Sequence, residues 1–527
     1  MQKGLTQKDY FLFNGVDAYR EGNRIPENAL YYAENSRFAG GRWASRKGYT
    51  EFGDALAGGT NIKGLVPYLR FPSGVETPYL VAYYDSQFER ISVDDPNTTS
   101  TIVAAGWTAG DVDIEGVSYN GSLYVGNGVD DIGKIADTTW STIASSPNAR
   151  LLEVWAEKMW GVDNVAPSTV QYTATATASV PSNIEVWAGA GSGAQLIGKG
   201  GRIESLRTLN NKMYTFKQNQ IDVFTSFYTD AAIPVPNMES ISKNTGAVNN
   251  RATTIVENDI WFLAPNLEIR SLGQEANYFQ DPRTQDMSSI IQRHKRDLDP
   301  DQSGAVAWYN EGLYKLALKE NGSSQNNLLF VYDRDTGGWG FDRATSPQVA
   351  CTAAGKSFFG VGGNSGQVYR DENGYSDNGF PMSWGGKSGL FDDGRSDMYK
   401  YARYLFVRGA RSEDVVITIY LLGEDFERLS GEVHTIPEPT AAEIAAGGVV
   451  VEDDWGMVGD IVGGGGYTGA EAGAPPVYRF NYTFSVGSTA RMFGIEVESS
   501  LLAQRAFIDE AKIKYIPRGD RYTPVNS

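Results

Sequence analysis

The chain reads as an all-β protein: a β-propeller of about seven blades (six to eight fit the spacing), an N-terminal arm and a C-terminal antiparallel β-sandwich. Three observations predict this. Glycine is abundant beside β-branched and aromatic residues, a hairpin signal recurs at blade-like intervals, and the pattern changes to long alternating runs from about residue 396.

The chain has 60 Gly, 29 Tyr, 23 Phe and 11 Trp among its 527 residues. Such a mixture suits many short strands joined by tight turns, and it supplies enough apolar surface for large cores. The repeating unit is an apolar alternating run, a polar turn, and a second run containing an aromatic. In EGVSYNGSLYVGNG the turn falls at Asn120-Gly121, a strong hairpin signal because both residues tolerate positive φ. The other predicted turns are Ser73-Gly74, Glu157-Lys158, Asn210-Asn211, Asn258-Asp259, Glu311-Gly312 and Gly355-Lys356. Their mean separation is roughly 47 residues, close to the length of a four-stranded blade. Ringing the blades buries both faces of each sheet and protects its edges; a series of sandwiches is the competing arrangement.

The expected domains are residues 1–60, an arm; 61–380, the propeller; and 381–527, the sandwich with a Gly-rich insertion loop at 431–475. Within the arm, IPENALYYAENSRF places Pro26 at a first helical position and predicts a short helix. The arm as a whole reads as an extension that orders against a neighbour, so that removing residues 1–45 leaves the propeller folded. A second helix is predicted over 281–298, with Met287, Ile290 and Ile291 on one face.

The net charge of −18 argues against general adhesion to nucleic acid, yet it suits a conduit through which DNA slides. Against that acidic background Arg283, Arg293, Lys295 and Arg296 form the local basic cluster, a candidate contact for DNA or for an acidic partner surface. Cys351 is the single cysteine, so no disulfide framework exists and no thiolate metal site is expected. No apolar run approaches the roughly 20 residues of a spanning helix, and no secretory leader opens the chain. Synthesis in the cytoplasm is the simplest expectation.

No catalytic, cofactor or metal residue is assigned. GAQLIGKG and ACTAAGKS approach a phosphate-binding loop, but Gly200 replaces the hydroxyl in the first and Ala350 the leading glycine in the second. The Asp299, Asp301, Ser303 run and the Asp333, Asp335 run lack the closing glutamate of a calcium loop, with Asn310 and Ala344 in its place. His294 and His434 are the only histidines, and neither sits beside an evident nucleophile.

Three stretches carry a family resemblance: NGVDAYREGNRIPENALYYAENSRFAGGRWASRKGYTEFG, LLFVYDRDTGGWGFDRA and SGLFDDGRSDMYKYARYLFVRG. They resemble the tail-hub and nozzle proteins of short-tailed bacteriophages (packaged-DNA stabilisation proteins). The resemblance implies a non-enzymatic virion protein of the tail, made in the host cytoplasm and assembled as a homo-oligomeric ring, a hexamer. Its partners would be the portal and adaptor, other tail proteins, and double-stranded DNA passing transiently through the lumen. Such a ring extends the DNA channel, helps retain packaged DNA and gates its ejection, with the arm and residues 431–475 as inter-subunit or gating elements. The alternatives are a propeller glycosidase of sialidase type, whose carboxylates converge on the propeller axis, or a tail-associated glycan-binding module.

Overall fold

The computed structural model describes residues 6–518 apart from 22–23, 27, 57–60, 72–73, 85–86, 109–112, 178, 199–200, 231–232, 274–284, 344, 363–365, 446–475 and 502–503. The repeated hairpins fold into seven meanders. Blade 1 begins with Gly64–Arg70, blade 2 with Glu115–Tyr119, blade 3 with Ala149–Trp155 and blade 4 with Ile203–Leu209. Blades 5, 6 and 7 begin with Thr253–Val256, Val306–Asn310 and Pro347–Ala353. Each of these first strands packs against the next around the circle, and Pro347–Ala353 returns to Gly64–Arg70, so the ring closes.

Burial explains the closure. Separate apolar layers lie between successive blades: Tyr68, Tyr83 and Phe88 meet Leu123 and Val125, while Trp155 and Trp160 meet Met213 and Phe224. A blade alone would leave both of these faces wet. The last blade is completed from far away in sequence, because Thr50–Glu51 forms its outer strand beside Val368–Arg370. That pairing ties the start of the propeller to its end.

Six of the seven predicted turns join the first and second strands of a blade, although three sit one residue earlier, at Ala156-Glu157, Glu257-Asn258 and Ala354-Gly355, and in the seventh, Ser73-Gly74, Ser73 lies outside the described residues. Polarity alone places Lys158 in its turn, but the structure makes it the first residue of a strand, with its ammonium donating to the carbonyls of Thr173 (2.9 Å) and Gly191 (2.6 Å). A one-residue slip would turn every following side chain to the other face. Ala354 adopts φ 48° in its turn, is exposed, and lacks the polar side chain that tolerates this region. Ala354→Asn, which creates Asn-Gly, is therefore expected to stabilise the chain by about 0.5–1 kcal/mol, read as a higher urea midpoint. An unchanged or lower midpoint would count against left-handed strain at this turn.

Blade 6 is continuous with the sandwich. Its last strand, Gly338–Asp342, meets Leu30–Glu34, which pairs with Met382–Ser388, and the sheet continues through Gly494–Leu501, Ile417–Leu422 and Arg428–Ile436. The opposing sheet runs from Ser36–Arg37 and Trp43–Ser45 through Ala506–Pro517 and Lys400–Arg411 to Tyr478–Ser485. Thr6–Phe11 also lies along Ala506–Pro517. One core containing Phe13, Leu30, Trp43, Trp339, Val407 and Val497 unites the two sheets with blades 5 and 6.

The expected arm is thus corrected: the segment from Thr6 to Phe52 packs into its own chain rather than standing off it. Its predicted helix is also corrected, since Leu30–Glu34 is a strand. Pairing to Met382–Ser388 and stacking of Tyr32 on Phe341 (centroids 5.8 Å apart) outweigh local helix preference. Over 281–298 the predicted helix gives way to the short strand Gln285–Asp286 and two single 3-10 turns, Ser289–Ile291 and His294–Asp297, with 281–284 outside the described residues. Packing over blade 6 imposes the shape, as the Trp339 indole donates to the Met287 carbonyl at 3.0 Å. The predicted loop 431–475 begins as strand, because Arg428–Ile436 pairs with Ile417–Leu422; a single helical turn follows at Ala441–Ala445, and 446–475 lie outside the described residues.

Buried ions fasten this junction. Arg37 makes a bidentate contact with Asp342 (2.9 and 2.8 Å) and also pairs with Glu372. Arg46 makes the same fork to Asp377 (2.8 and 2.7 Å), and Lys315 reaches Asp371 (2.8 Å) and Glu372 (2.6 Å). Close backbone approach completes it: a Cβ on Gly338 would sit 1.8 Å from the Asn14 carbonyl oxygen, so only glycine fits there. Among the described residues no helix is long and apolar enough to cross a membrane.

Candidate functional site

Charged side chains converge on the propeller axis from the first strands of blades 2 to 5 and the turns before them. Arg251, ahead of blade 5, crosses to the far side, where it lies 3.1 Å from Asp113 and donates to the Lys63 and Ile114 carbonyls. Asn250 donates to Glu115 at 2.8 Å and accepts from Arg207 at 2.8 Å. Glu204 pairs with Arg202 at 3.1 Å and Arg150 at 3.8 Å. Burial pushes the Glu153 and Glu204 carboxyls up against the opposing pull of neighbouring arginines. Burial, with Arg202 nearby, pulls the Arg150 guanidinium down to about 10. The axis is therefore closed by groups that neutralise one another, rather than lined by free acids.

A second feature is a cleft of about 700 Å³ on the outer face of the large sandwich sheet. Register sets its floor in rows: Tyr32, Lys387, Glu496 and Tyr420 lie side by side, and Glu34, Gly385, Glu498 and Thr418 form the next row. Gly385 makes the hollow; a Cβ there would sit 2.1 Å from the Val497 carbonyl oxygen. Glu34 accepts from the Tyr32 hydroxyl (2.6 Å) and the Ser383 hydroxyl (2.8 Å). Glu496 pairs with Arg428 (2.7 Å) and Lys387 (3.3 Å), and the Arg428 guanidinium lies 3.7 Å from the Tyr420 ring centroid. These carboxylates are engaged in holding the sheet.

No family model and no curated protein matches the chain. Among solved structures it is similar to one described as YCF48 bound to D1 peptide, at 12% identity over 60% of this chain and 93% of that one, with a TM-score of 0.37. It is also similar to PorZ, a surface component of the type-IX secretion system of Porphyromonas gingivalis, at 10% identity over 67% of this chain and 44% of that one, TM-score 0.37. The N-terminal domain of Nup159 is similar at 8% identity over 66% of this chain and 97% of that one, TM-score 0.36. Likenesses this faint carry nothing about function.

The basic cluster is divided by the fold. Arg293 and Arg296 are exposed, with Arg293 donating to the Tyr31 hydroxyl at 3.0 Å, whereas Arg283 lies outside the described residues. Lys295 points inward and donates to the Ser288 hydroxyl at 2.9 Å, so it is not presented to DNA beside its neighbours. Lys295 faces away from Arg293 and Arg296 because a 3-10 turn rotates adjacent residues by about 120° and brings residues three apart onto one side. His294 packs against Phe341 (centroids 4.4 Å apart), and burial lowers its imidazole.

The phosphate-loop resemblances end in strands. Gly193–Leu196 is the outer strand of blade 3, with Lys199 and Gly200 outside the described residues, and Ala354-Gly355 turns directly into Lys356–Val361, so among the described residues no helix N-terminus faces either loop. Asp299 and Asp301 cap the backbone amides of Asp301 (2.7 Å) and Ser303 (3.0 Å). Among the described residues no group of three or more His, Cys, Asp or Glu is placed to hold a metal ion. Sequence reasoning missed the axial arginines and acids because their spacing in the chain, from Asp113 to Arg251, carries no local pattern.

Proposed function

We propose that this chain is a structural subunit of a phage tail, a ring-forming hub or nozzle that extends the DNA channel, helps retain packaged DNA and gates its release. One observation carries the reading. The three stretches that resemble such proteins are far apart in sequence yet meet at one place: Leu30 pairs with Ser388, Glu34 with Phe341, and the Val16 amide donates to the Trp339 carbonyl at 2.9 Å. This joint between propeller and sandwich, locked by buried ion pairs, makes a stiff body suited to mechanical load and needs no reactive centre.

The ring would hold six copies, by the resemblance, beneath the portal and adaptor. Sedimentation or native mass measurement of the purified chain, alone and with its neighbours, is expected to show a closed oligomer. A strictly monomeric chain under all those conditions would sink the reading.

A glycosidase is the second reading, favoured by the raised Glu204 carboxyl beside Arg202 and Arg150 at the propeller axis. Turnover of any member of a glycan panel, abolished by Glu204→Gln in a folded variant, would favour it over the ring.

A further inference from the structure

We propose that copies of this chain join edge to edge, with Thr6–Phe11 of one copy extending the sheet beyond Tyr478–Ser485 of the next. This deepens the ring reading and rests on it. Among the described residues both margins of the smaller sandwich sheet are open: Thr6–Phe11 pairs only with Ala506–Pro517, and Tyr478–Ser485 only with Lys400–Arg411. Edge strands are ordinarily protected by proline, bulges, inward charges or shortness. Tyr478–Ser485 has none of these. It runs for eight residues in unbroken register and carries the aromatic series Tyr478, Phe480, Tyr482, Phe484 on its core-facing side.

Strand direction supplies the partner. The path Thr6–Phe11, Ala506–Pro517, Lys400–Arg411, Tyr478–Ser485 is antiparallel at every step. Four strands alternating in direction leave the two margins running oppositely. A copy displaced sideways in the plane of the sheet therefore presents its Thr6–Phe11 antiparallel to the preceding Tyr478–Ser485, and the same ladder continues. This contact uses two different surfaces, so it propagates into a ring when the rotation closes.

Side chains favour one register. Asp9 and Arg479 both lie on the face away from the core, while Lys8 lies on the core side of its strand, 5.8 Å above the Tyr10 ring. Setting Asp9 opposite Arg479 also sets Gln7 opposite Asn481 and Lys8 opposite Phe480, which gives a charge pair on one face and a cation over a ring on the other. Phe11 and Leu12, exposed by 41% and 61% at the end of the first strand, would be covered.

Mixing full-length Gln7→Cys with full-length Asn481→Cys and oxidising the mixture tests this. Both variants are made in a Cys351→Ser background, because the native thiol is free and only half-buried. A cross-linked pair is expected in the mixture and in neither variant alone. Cross-linking of Asn481→Cys with itself would overturn the proposal in favour of a two-fold contact. A closed oligomer of native mass that never cross-links would overturn the edge contact while leaving the ring intact. A monomer without cross-links would overturn both.

Discussion

Asp342→Ala is expected to cost about 3–5 kcal/mol, because it takes the bidentate acceptor from the buried Arg37 guanidinium and leaves its donors facing Glu372 alone among the carboxylates. Asp342 sits between Arg37, with which it makes two hydrogen bonds, and Arg46 at 3.7 Å, with Lys315 at 3.9 Å. None of these side chains is more than 4% exposed, so water cannot replace the lost partner. Burial alone would push the Asp342 carboxyl up, but Arg37, Arg46 and Lys315 outweigh it and hold the group below the usual carboxylate range. Burial opposes Glu372 in the same way, and Arg37 and Lys315 hold it well below.

These shifts have a sign in stability. At acidic pH the unfolded chain binds protons that Asp342 and Glu372 refuse in the folded junction, so their stabilisation is complete above the unfolded value of about 4. It declines as pH falls from there toward the depressed folded values. Urea midpoints at pH 7 and pH 3 should therefore differ more in the native chain than in Asp342→Ala. Equal losses in the two proteins would remove the junction as a source of acid sensitivity, and a variant as stable as the native chain at pH 7 would remove it as a structural lock.

Removing residues 1–45 is expected to abolish folding of the sandwich and of the joint to blade 6. The deletion takes Phe13, Val16, Leu30, Ala33, Phe38 and Trp43 from the shared core, each at most 2% exposed. Loss of a single buried aromatic costs about 3–5 kcal/mol, and the whole stability of a domain is about 5–15 kcal/mol. It also removes Arg37, leaving Arg46 and Lys315 to face Asp342, Asp371, Glu372 and Asp377 with an excess of negative charge. Aggregation, or loss of the near-ultraviolet signal of the buried tryptophans, is the expected result. A soluble deletion with native melting behaviour would show that this segment is an appendage after all.

The inner hairpins were legible because their information is local. A two-residue turn such as Asn210-Asn211 or Glu311-Gly312, with φ of 50° and 56° or 48° and 79°, is written in four or five consecutive residues. The sandwich strands Lys400–Arg411 and Ala506–Pro517 alternate strictly enough to be recognised in the same way. The candidate sites were far less legible. Glu115 and Arg251 are brought within 3.4 Å by closure of the ring, and Tyr32, Lys387, Glu496 and Tyr420 by pairing of four separate strands.

What the amino-acid order determined unaided was the kind of unit, its approximate number and most of its turns to within a residue, since alternation and left-handed turn residues act over a few positions. Only the tertiary structure decided that Leu30–Glu34 is a strand, that Thr50–Glu51 completes the last blade, and that Lys295 turns inward. Each depends on partners hundreds of residues away or on the face a short turn presents. Their contribution to folding free energy appears only once the ring and the sandwich have formed around them.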